Sequence, residues 1–257
     1  MDSVLVNPAA LARGLAQTLP GETVTVFENT PVLRADFGQQ VTLNTVSGRV
    51  IADNIILATN VFTSSFGFLK SRLLPFFLTA SLTRPLSDDE FSLIGRAKDW
   101  GLISGHRMGA TVRLTDDRRI FIRNTADCRF TPHQKAGELD HFRRIHEDGI
   151  ARRFPMLPGL KIEHTWGGFV CMTRNRTTAF GQLSRNVFTS TAYNGSGVSK
   201  ASLFGKLLAD KIAGAGSSEL TAAEEMAPPK WMPPRPILDL GVQAAVLSTR
   251  RHLGKDG

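Results

Sequence analysis

Asn194-Gly195-Ser196-Gly197-Val198-Ser199-Lys200 is the stretch whose reading decides the fold. It follows a β-branched, strand-like run from Val187 to Tyr193. It leads into Ala201, Phe204, Leu208 and Ile212, which recur on one face of a helix closed by Gly214. A strand that passes through glycines into a helix start presents free N–H groups and the positive end of a helix dipole. Such a setting is what a dinucleotide fingerprint requires, yet G-x-G-x-x-G is not completed, because Lys200 holds the third glycine position. No second strand with an acidic end follows, so this is not a pyrophosphate loop. Taken alone, the seven residues also fit a plain tight turn into a helix.

Working outward, Asn7-Pro8 caps and opens a helix with Leu11, Leu15 and Leu19 on one face. Val24–Phe27, Pro31–Leu33 and Val41–Leu43 read as short strands, and Ser47-Gly48 turns the chain into Val50-Ile51. Ile55-Ile56-Leu57-Ala58 is a continuous apolar run, expected to be a strand buried on both faces. A different texture begins near Phe66. Ser87-Asp88-Asp89-Glu90 has capping-box spacing, and Val112–Thr115 with Ile120–Arg123 reads as a hairpin around Asp116-Asp117. Thr131-Pro132 is expected to open a long helix burying Leu139, Phe142, Ile145 and Ile150. Ile162–Trp166 is strand-like, and a proline-rich tail ends in an amphipathic segment, Leu238–Leu247. The order is α/β, then mixed antiparallel sheet and helices, then one more strand-to-helix unit. That order predicts a doubly wound domain interrupted by a second domain.

The 257 residues carry 42% hydrophobic and 21% charged residues, ordinary for a globular chain with a substantial core. No apolar run approaches the roughly 20 residues of a membrane helix, and Met1–Val6 lacks a basic region, so neither membrane span nor signal peptide is expected. Cys128 and Cys171 do not make a disulfide framework, which points to a reducing cytoplasm. The +8 net charge is spread over separated arginine pairs with no aromatic-lined basic stripe, which argues against nucleic acid. The six histidines show no metal spacing, and Ser196 lies in no G-x-S-x-G elbow.

Thr165-Trp166-Gly167-Gly168, then Thr173-x-Asn175-x-x-Thr178-x-x-Gly181, then Asn186-Val187 and the Gly-Ser-Gly helix start resemble the C-terminal signature of the D-amino-acid oxidase superfamily. Glycine oxidase, sarcosine oxidase and γ-glutamylputrescine oxidoreductase belong to it. The early block matches as well: Val6-Asn7-Pro8, Glu28–Val32 and Ile55–Asn60. Ser81–Leu86, Asp117–Ile120 and Arg123-Asn124 look most like the putrescine-oxidoreductase branch. The likeness runs in order over nearly the whole chain.

The resemblance implies an α/β fold of mixed α+β character: the C-terminal part of a two-domain FAD-dependent oxidase. An incomplete FAD-binding domain (1–65 and 166–215) would flank an antiparallel-sheet substrate domain (66–165), with a proline-rich tail and C-terminal helix at 216–257. It implies FAD as cofactor and oxidation of the C–N bond of an amine or amino acid, by hydride transfer to the flavin. In the family the helix beginning at Gly195 points at the pyrimidine edge of the flavin, where charge gathers on reduction. This assigns Asn194, Gly195, Ser196, Gly197, Val198 and Ser199 to the cofactor. Val32 matches the adenine contact, Ala58 and Thr59 the diphosphate and ribitol loop, and Trp166 a pocket border. A diphosphate cofactor also accounts economically for part of the positive charge.

Several departures follow from the same likeness. Covalent members attach flavin through a cysteine where this chain has Gly168, so non-covalent FAD is expected and Cys171 reads as a buried apolar residue. Asn175 and Thr178 stand where the family often has Asp and Pro. Lys200 falls one position after the lysine that holds the substrate carboxylate in sarcosine-oxidase-like members, a swing of roughly 100°. It is a substrate candidate, as is His106, beside Arg107, from the middle domain. No catalytic base is assigned. The glycine-rich fingerprint that binds the ADP half is expected from upstream sequence or a separate chain. The alternative reading is a non-catalytic remnant or a subunit dependent on a partner.

Overall fold

The computed structural model describes residues 5–21, 23–106, 109–129, 131–234 and 236–251, with side chains described as far as Ser248. Arg107 lies outside the described residues. In chain order the elements are helix α1 (Pro8–Thr18), strands β1 (Val32–Phe37), β2 (Val41–Thr45), β3 (Arg49–Ala52) and β4 (Ile55–Leu57), and a 3-10 helix (Asn60–Phe66). There follow β5 (Leu74–Thr83), α2 (Asp88–Leu93), β6 (Trp100–Ile103), β7 (Thr111–Leu114), β8 (Ile120–Cys128), α3 (Glu138–Arg153) and β9 (Ile162–Met172). The chain closes with β10 (Ala179–Ser184), β11 (Val187–Thr191), α4 (Gly197–Ile212), α5 (Ser218–Glu224) and α6 (Ile237–Arg251). It divides into two compact units: Met1–Leu73 with Cys171–Trp231, and Leu74–Val170 with Met232–Gly257.

In the first unit Asn7 caps α1 as expected, its Oδ1 accepting from the N–H groups of Ala9 and Ala10. None of the helix's residues is buried, however. The strands β1, β2 and β3 form an antiparallel sheet in that order, with Gly48 in the second turn. Val24–Phe27 is not a strand. Val24, Val26 and Phe27 are all exposed, and β-propensity without a ladder partner leaves coil.

The unit's other sheet has the order β10-β11-β4, with β11 parallel to β4 and antiparallel to β10. The run at Ile55 is a strand, but it is not buried on both faces. β4 lies at the edge of its sheet, and Ile56 is 48% exposed. Phe204 and Leu207 of α4 pack with Leu220 and Ala223 of α5, against Phe180 and Tyr193.

The second unit is built on the sheet β6-β7-β8-β5-β9. Strand β5 shows a period of two, interrupted by an irregularity between Thr79 and Ser81 where Ala80 is also buried. Phe77, Thr79, Ser81 and Thr83 are buried, while Phe76, Leu78 and Leu82 are half-buried on the opposite face. The inner face belongs to α3, whose Phe142, His146, Gly149 and Ile150 are buried. The core gathers Val112, Leu114, Ile120, Ile122, Ile150 and Ile162. The hairpin β7–β8 and the Ser87 capping box form as expected. Helix α3 begins at Glu138 rather than Thr131, because Gly137 at φ +72° breaks the chain just before it. Strands β5, β6 and β10 were not expected. β9 runs on to Met172, past Trp166, and β11 ends at Thr191.

Candidate functional site

The parallel register of β11 with β4 (Val187 to Ile55, Phe188 to Ile56, Thr189 to Leu57) sets the C-terminal ends of these strands side by side. Thr189 Oγ1 donates to Leu57 O at 2.8 Å across the pair. Ala58 and Thr59 leave one strand end, and the turn 192–197 leaves the other. This is the edge at which open α/β sheets take ligands. Ala58 is exposed, and Thr59 is held by a 3.0 Å hydroxyl contact with Thr63 in the 3-10 helix.

The turn into α4 is conformationally unusual. Ala192, Asn194 and Gly195 have φ of +60°, +56° and +88°, and a buried alanine in that region is held only by its surroundings. Asn194 does the holding. Its Oδ1 accepts from Thr173 N–H (2.8 Å) and Oγ1 (3.3 Å), while its Nδ2 donates to Thr177 O and Ala192 O. The amide is therefore used within the protein, and Asn194 shapes the turn. Asn175 is anchored too: Nδ2 donates to Pro228 O and Oδ1 accepts from Lys230 N–H, a pairing a carboxylate could not complete.

Beyond the turn, Ser196 gives no side-chain cap to the 16-residue α4. Among the described residues no acceptor faces the N–H groups of Gly197, Val198 and Ser199, and Val198 and Ser199 are exposed. Three free donors and a helix dipole at a strand C-terminal edge fit an electron-rich ring edge such as a flavin's. A Cβ at Gly197 would meet only Tyr193, at 3.8 Å. The space at Gly197 is therefore not demanded by the protein's own packing.

Lys200 is the fourth residue of α4 and half-buried, with no ion pair among the described residues. Val32 starts β1, in the separate antiparallel sheet of the same unit. Trp166 and His106 belong to the second unit. His106 sits in the β6–β7 connection, its backbone N–H on Ser104 Oγ.

On the half-buried face of the second unit's sheet, the rings of Trp166 and Phe121 lie 5.9 Å apart, and the guanidinium of Arg113 sits 5.7 Å over Phe121. Beside them Arg123 donates to Gly109 O and Thr111 Oγ1, both at 2.8 Å. Burial shifts the Arg123 pKa downward. Arg113 was not singled out from sequence, and Arg123 only within the likeness to the putrescine-oxidoreductase branch, though alternation along β7 and β8 placed both on one face. On the opposite face His146 is fully buried, its Nδ1 2.7 Å from Ser81 Oγ and its Nε2 3.3 Å from Thr79 Oγ1. Burial, with the nearby charge of Arg123, pushes its pKa down to about 4. Neither cysteine is in a disulfide, and Cys171 is buried. Among the described residues no cluster suits a metal ion, and no helix is long and apolar enough to cross a membrane.

Comparison with known proteins matches residues 1–211 to the FAD dependent oxidoreductase family DAO. Probable oxidoreductase OrdL of Haemophilus influenzae is 26% identical over 244 residues, 94% of this chain and 54% of that protein. Gamma-glutamylputrescine oxidoreductase of Escherichia coli is 27% identical over 212 residues, 81% of this chain and 48% of that protein. The chain thus spans about half the length of the curated relatives it matches. Among solved structures, glycine oxidase from Geobacillus kaustophilus superposes with a TM-score of 0.59 at 16% identity, covering 75% of this chain and 50% of that one. L-Proline dehydrogenase from P. horikoshii gives 0.55 at 18% identity, covering 76% and 52%. By the extent of the family match, the chain belongs to the DAO family of FAD-dependent oxidoreductases.

Proposed function

We propose that this chain carries the flavin-ring side and the substrate domain of an oxidoreductase that oxidises the C–N bond of a small amine or amino acid. The observation that carries this reading is the uncapped start of α4, with three unused N–H donors beside the C-terminal ends of β4 and β11. Bound non-covalently there, FAD would supply the electron sink for a hydride leaving the carbon beside nitrogen. The N–H groups of Gly197, Val198 and Ser199 would face the ring edge that becomes negative on reduction, a fixed array needing no reorganisation. Asn194 would hold that array in place. Ala58 and Thr59 would border the same edge, and Val32 would meet the adenine. Trp166 and His106 are proposed for the substrate side, and Lys200 for the substrate's acid group.

The completed fingerprint G-x-G-x-x-G is not among these residues, so we place the ADP half of the cofactor on further polypeptide, in the same protein or a partner chain. The exposed face of α1 offers such polypeptide a surface to cover.

Gly197→Val provides the test. The first atom of the added side chain meets only Tyr193, in ordinary contact, and an unfolding transition unchanged from the parent's shows that the effect reports on the ligand side. FAD titrated into the parent protein and followed by flavin fluorescence should show weak, saturable binding. The variant should bind at least roughly tenfold more weakly, since oriented donors at a charged site are worth on the order of 3 kcal/mol. Equal affinity in the two proteins would remove α4 from the cofactor and the reading with it.

A further inference from the structure

We propose that Asn175 is a positioning residue for the flavin: it fastens the proline strap 228–231 to the loop 173–177, and so fixes the turn that aims the N–H donors of α4. The inference deepens the functional reading and rests on it for the identity of the ligand. Strap and loop both lie in the first unit. Pro228 and Pro229 have no N–H, so the strap offers carbonyls and few donors to a partner. Side chains serve it instead of a neighbouring strand. Asn175 Nδ2 donates to Pro228 O and its Oδ1 accepts from Lys230 N–H, both at 3.0 Å. Arg72 donates to Pro229 O, and Arg174 to Trp231 O.

The loop that receives the strap is the one that holds the turn into α4. Asn194 grips it at both ends, Oδ1 accepting from Thr173 N–H at 2.8 Å and Nδ2 donating to Thr177 O at 3.1 Å. Thr173 Oγ1 closes the loop on itself by donating to Thr177 O at 2.8 Å. Thr173 is buried, whereas Arg174 and Arg176 are exposed and Asn175, at the tip, is half-buried. The hydrogen bonds that reach Arg174 and Asn175 from outside the loop come from the strap.

Arg176, Ala192 and Asn194 have φ of +57°, +60° and +56°. Backbone of that kind persists only where its surroundings over-determine it. Asn194 can fix the turn only as well as Thr173 and Thr177 are themselves placed. The strap supplies that placement, because a loop pinned at its tip no longer rotates about the Thr173–Thr177 closure. The precision matters, since a donor array works only when held within about 0.5 Å of its productive place. Donors aimed before charge develops need no reorganisation when it does. The link requires an amide. A carboxylate of the same shape could accept from Lys230 N–H but would set a second acceptor against Pro228 O.

The test breaks the link from both sides in the whole chain. Asn175→Ala removes both hydrogen bonds, and Asn175→Asp removes the donor alone. Lys230→Pro removes only the N–H that Asn175 accepts, with Lys230→Ala, which keeps it, as the matched control. Without flavin, the backbone amide NMR signals of Gly197, Val198 and Ser199 should move in the three link-breaking variants and keep the parent's positions in Lys230→Ala. FAD followed by flavin fluorescence should bind at least about fivefold more weakly to Asn175→Ala and Lys230→Pro, the scale of one neutral hydrogen bond. The visible absorption bands of the bound flavin, which report on its ring edge, should shift in Lys230→Pro and not in Lys230→Ala. Lys230→Pro leaves Asn175 in place, so the test stands even if Asn175→Ala disturbs the fold. Amide signals that match the parent's in both variants would overturn the proposal. So would amides that move while FAD affinity holds, in a protein where Gly197→Val still weakens FAD. Equal affinity in Gly197→Val and the parent sinks the flavin reading instead, so the two fail on different variants.

Discussion

In the second unit, Leu114, Ile120 and Ile122 lie within 1% of full burial, because α3 crosses the inner face of the sheet that carries them. In the first unit, Leu15, Phe27 and Leu33 are each more than half exposed. The two stretches are similarly rich in β-branched and aliphatic residues. What separates them is a covering layer. A sheet face or helix stripe becomes core only when another element is laid across it, and α1 has no buried residue at all. Parallel pairing as in β4–β11 ordinarily goes with layers on both faces, whereas Ile56 faces solvent. The second unit thus covers its main sheet with its own helix, whereas the first leaves part of its apolar surface exposed.

The sharpest way to break this comparison is a matched pair of truncations. Ile122→Ala should cost about 2–5 kcal/mol of unfolding free energy, the range for a fully buried aliphatic side chain. Leu15→Ala in α1 should stay within about 0.5 kcal/mol, as for ordinary surface changes. Denaturant unfolding of the two variants measures both. Similar losses would mean that α1 is packed after all.

Acid should separate the units next. The first unit contains no histidine, and the second buries His146 completely. That imidazole titrates near 6.5 when the chain is unfolded and near 4 when folded, chiefly because burial disfavours the charged form. Between those values the unfolded chain binds more protons. Stability linked to His146 is thus intact above about pH 6.5, falls as pH drops towards 4, and levels off below. The full loss is on the order of 3 kcal/mol. His146→Gln should flatten that slope in the unfolding free energy of the second unit. A slope that persists in the variant would assign it to the carboxylates.

How much of this was legible in the residues follows from what each signal depends on. The cap at Asn7, the box at Ser87 and the turn at Asp116-Asp117 are local, and all three form as read. The Gly-x-Gly start of α4 was legible for the same reason, since glycine and a following helical period are enough to place it. Strand β5 was missed because Leu74–Thr83 alternates Phe and Leu with Thr and Ser on a face that is buried yet polar. The sequence alone does not reveal that Ser81, Thr79 and His146 satisfy one another. Val24–Phe27 was misread in the opposite direction, through propensity with no partner strand. The clamp by Asn194 joins residues 17 to 21 positions apart.

The smallest effect sharpens the comparison furthest, because it holds the chemistry constant. Asn7 and Ser87 are both N-caps with their side chains engaged. Asn7 accepts from two N–H groups, while Ser87 Oγ accepts from Glu90 N–H and Glu90 answers at Ser87 N–H. Replacing either by Ala removes a cap normally worth about 1 kcal/mol. A cap contributes to global stability only if its helix melts with the rest of the domain. Phe91 and Ile94, in and at the end of α2, pack on the second unit's core, so Ser87→Ala should show the full amount in denaturant unfolding. Helix α1 buries nothing, so it should fray independently, and Asn7→Ala should leave the global transition within a few tenths of a kcal/mol. Its effect should appear instead in amide exchange of residues 8–18, as protection that is already low and falls further. A full 1 kcal/mol loss in the global transition of Asn7→Ala would show that α1 is coupled to the first unit's fold, and that the exposed leucine face is packed in solution.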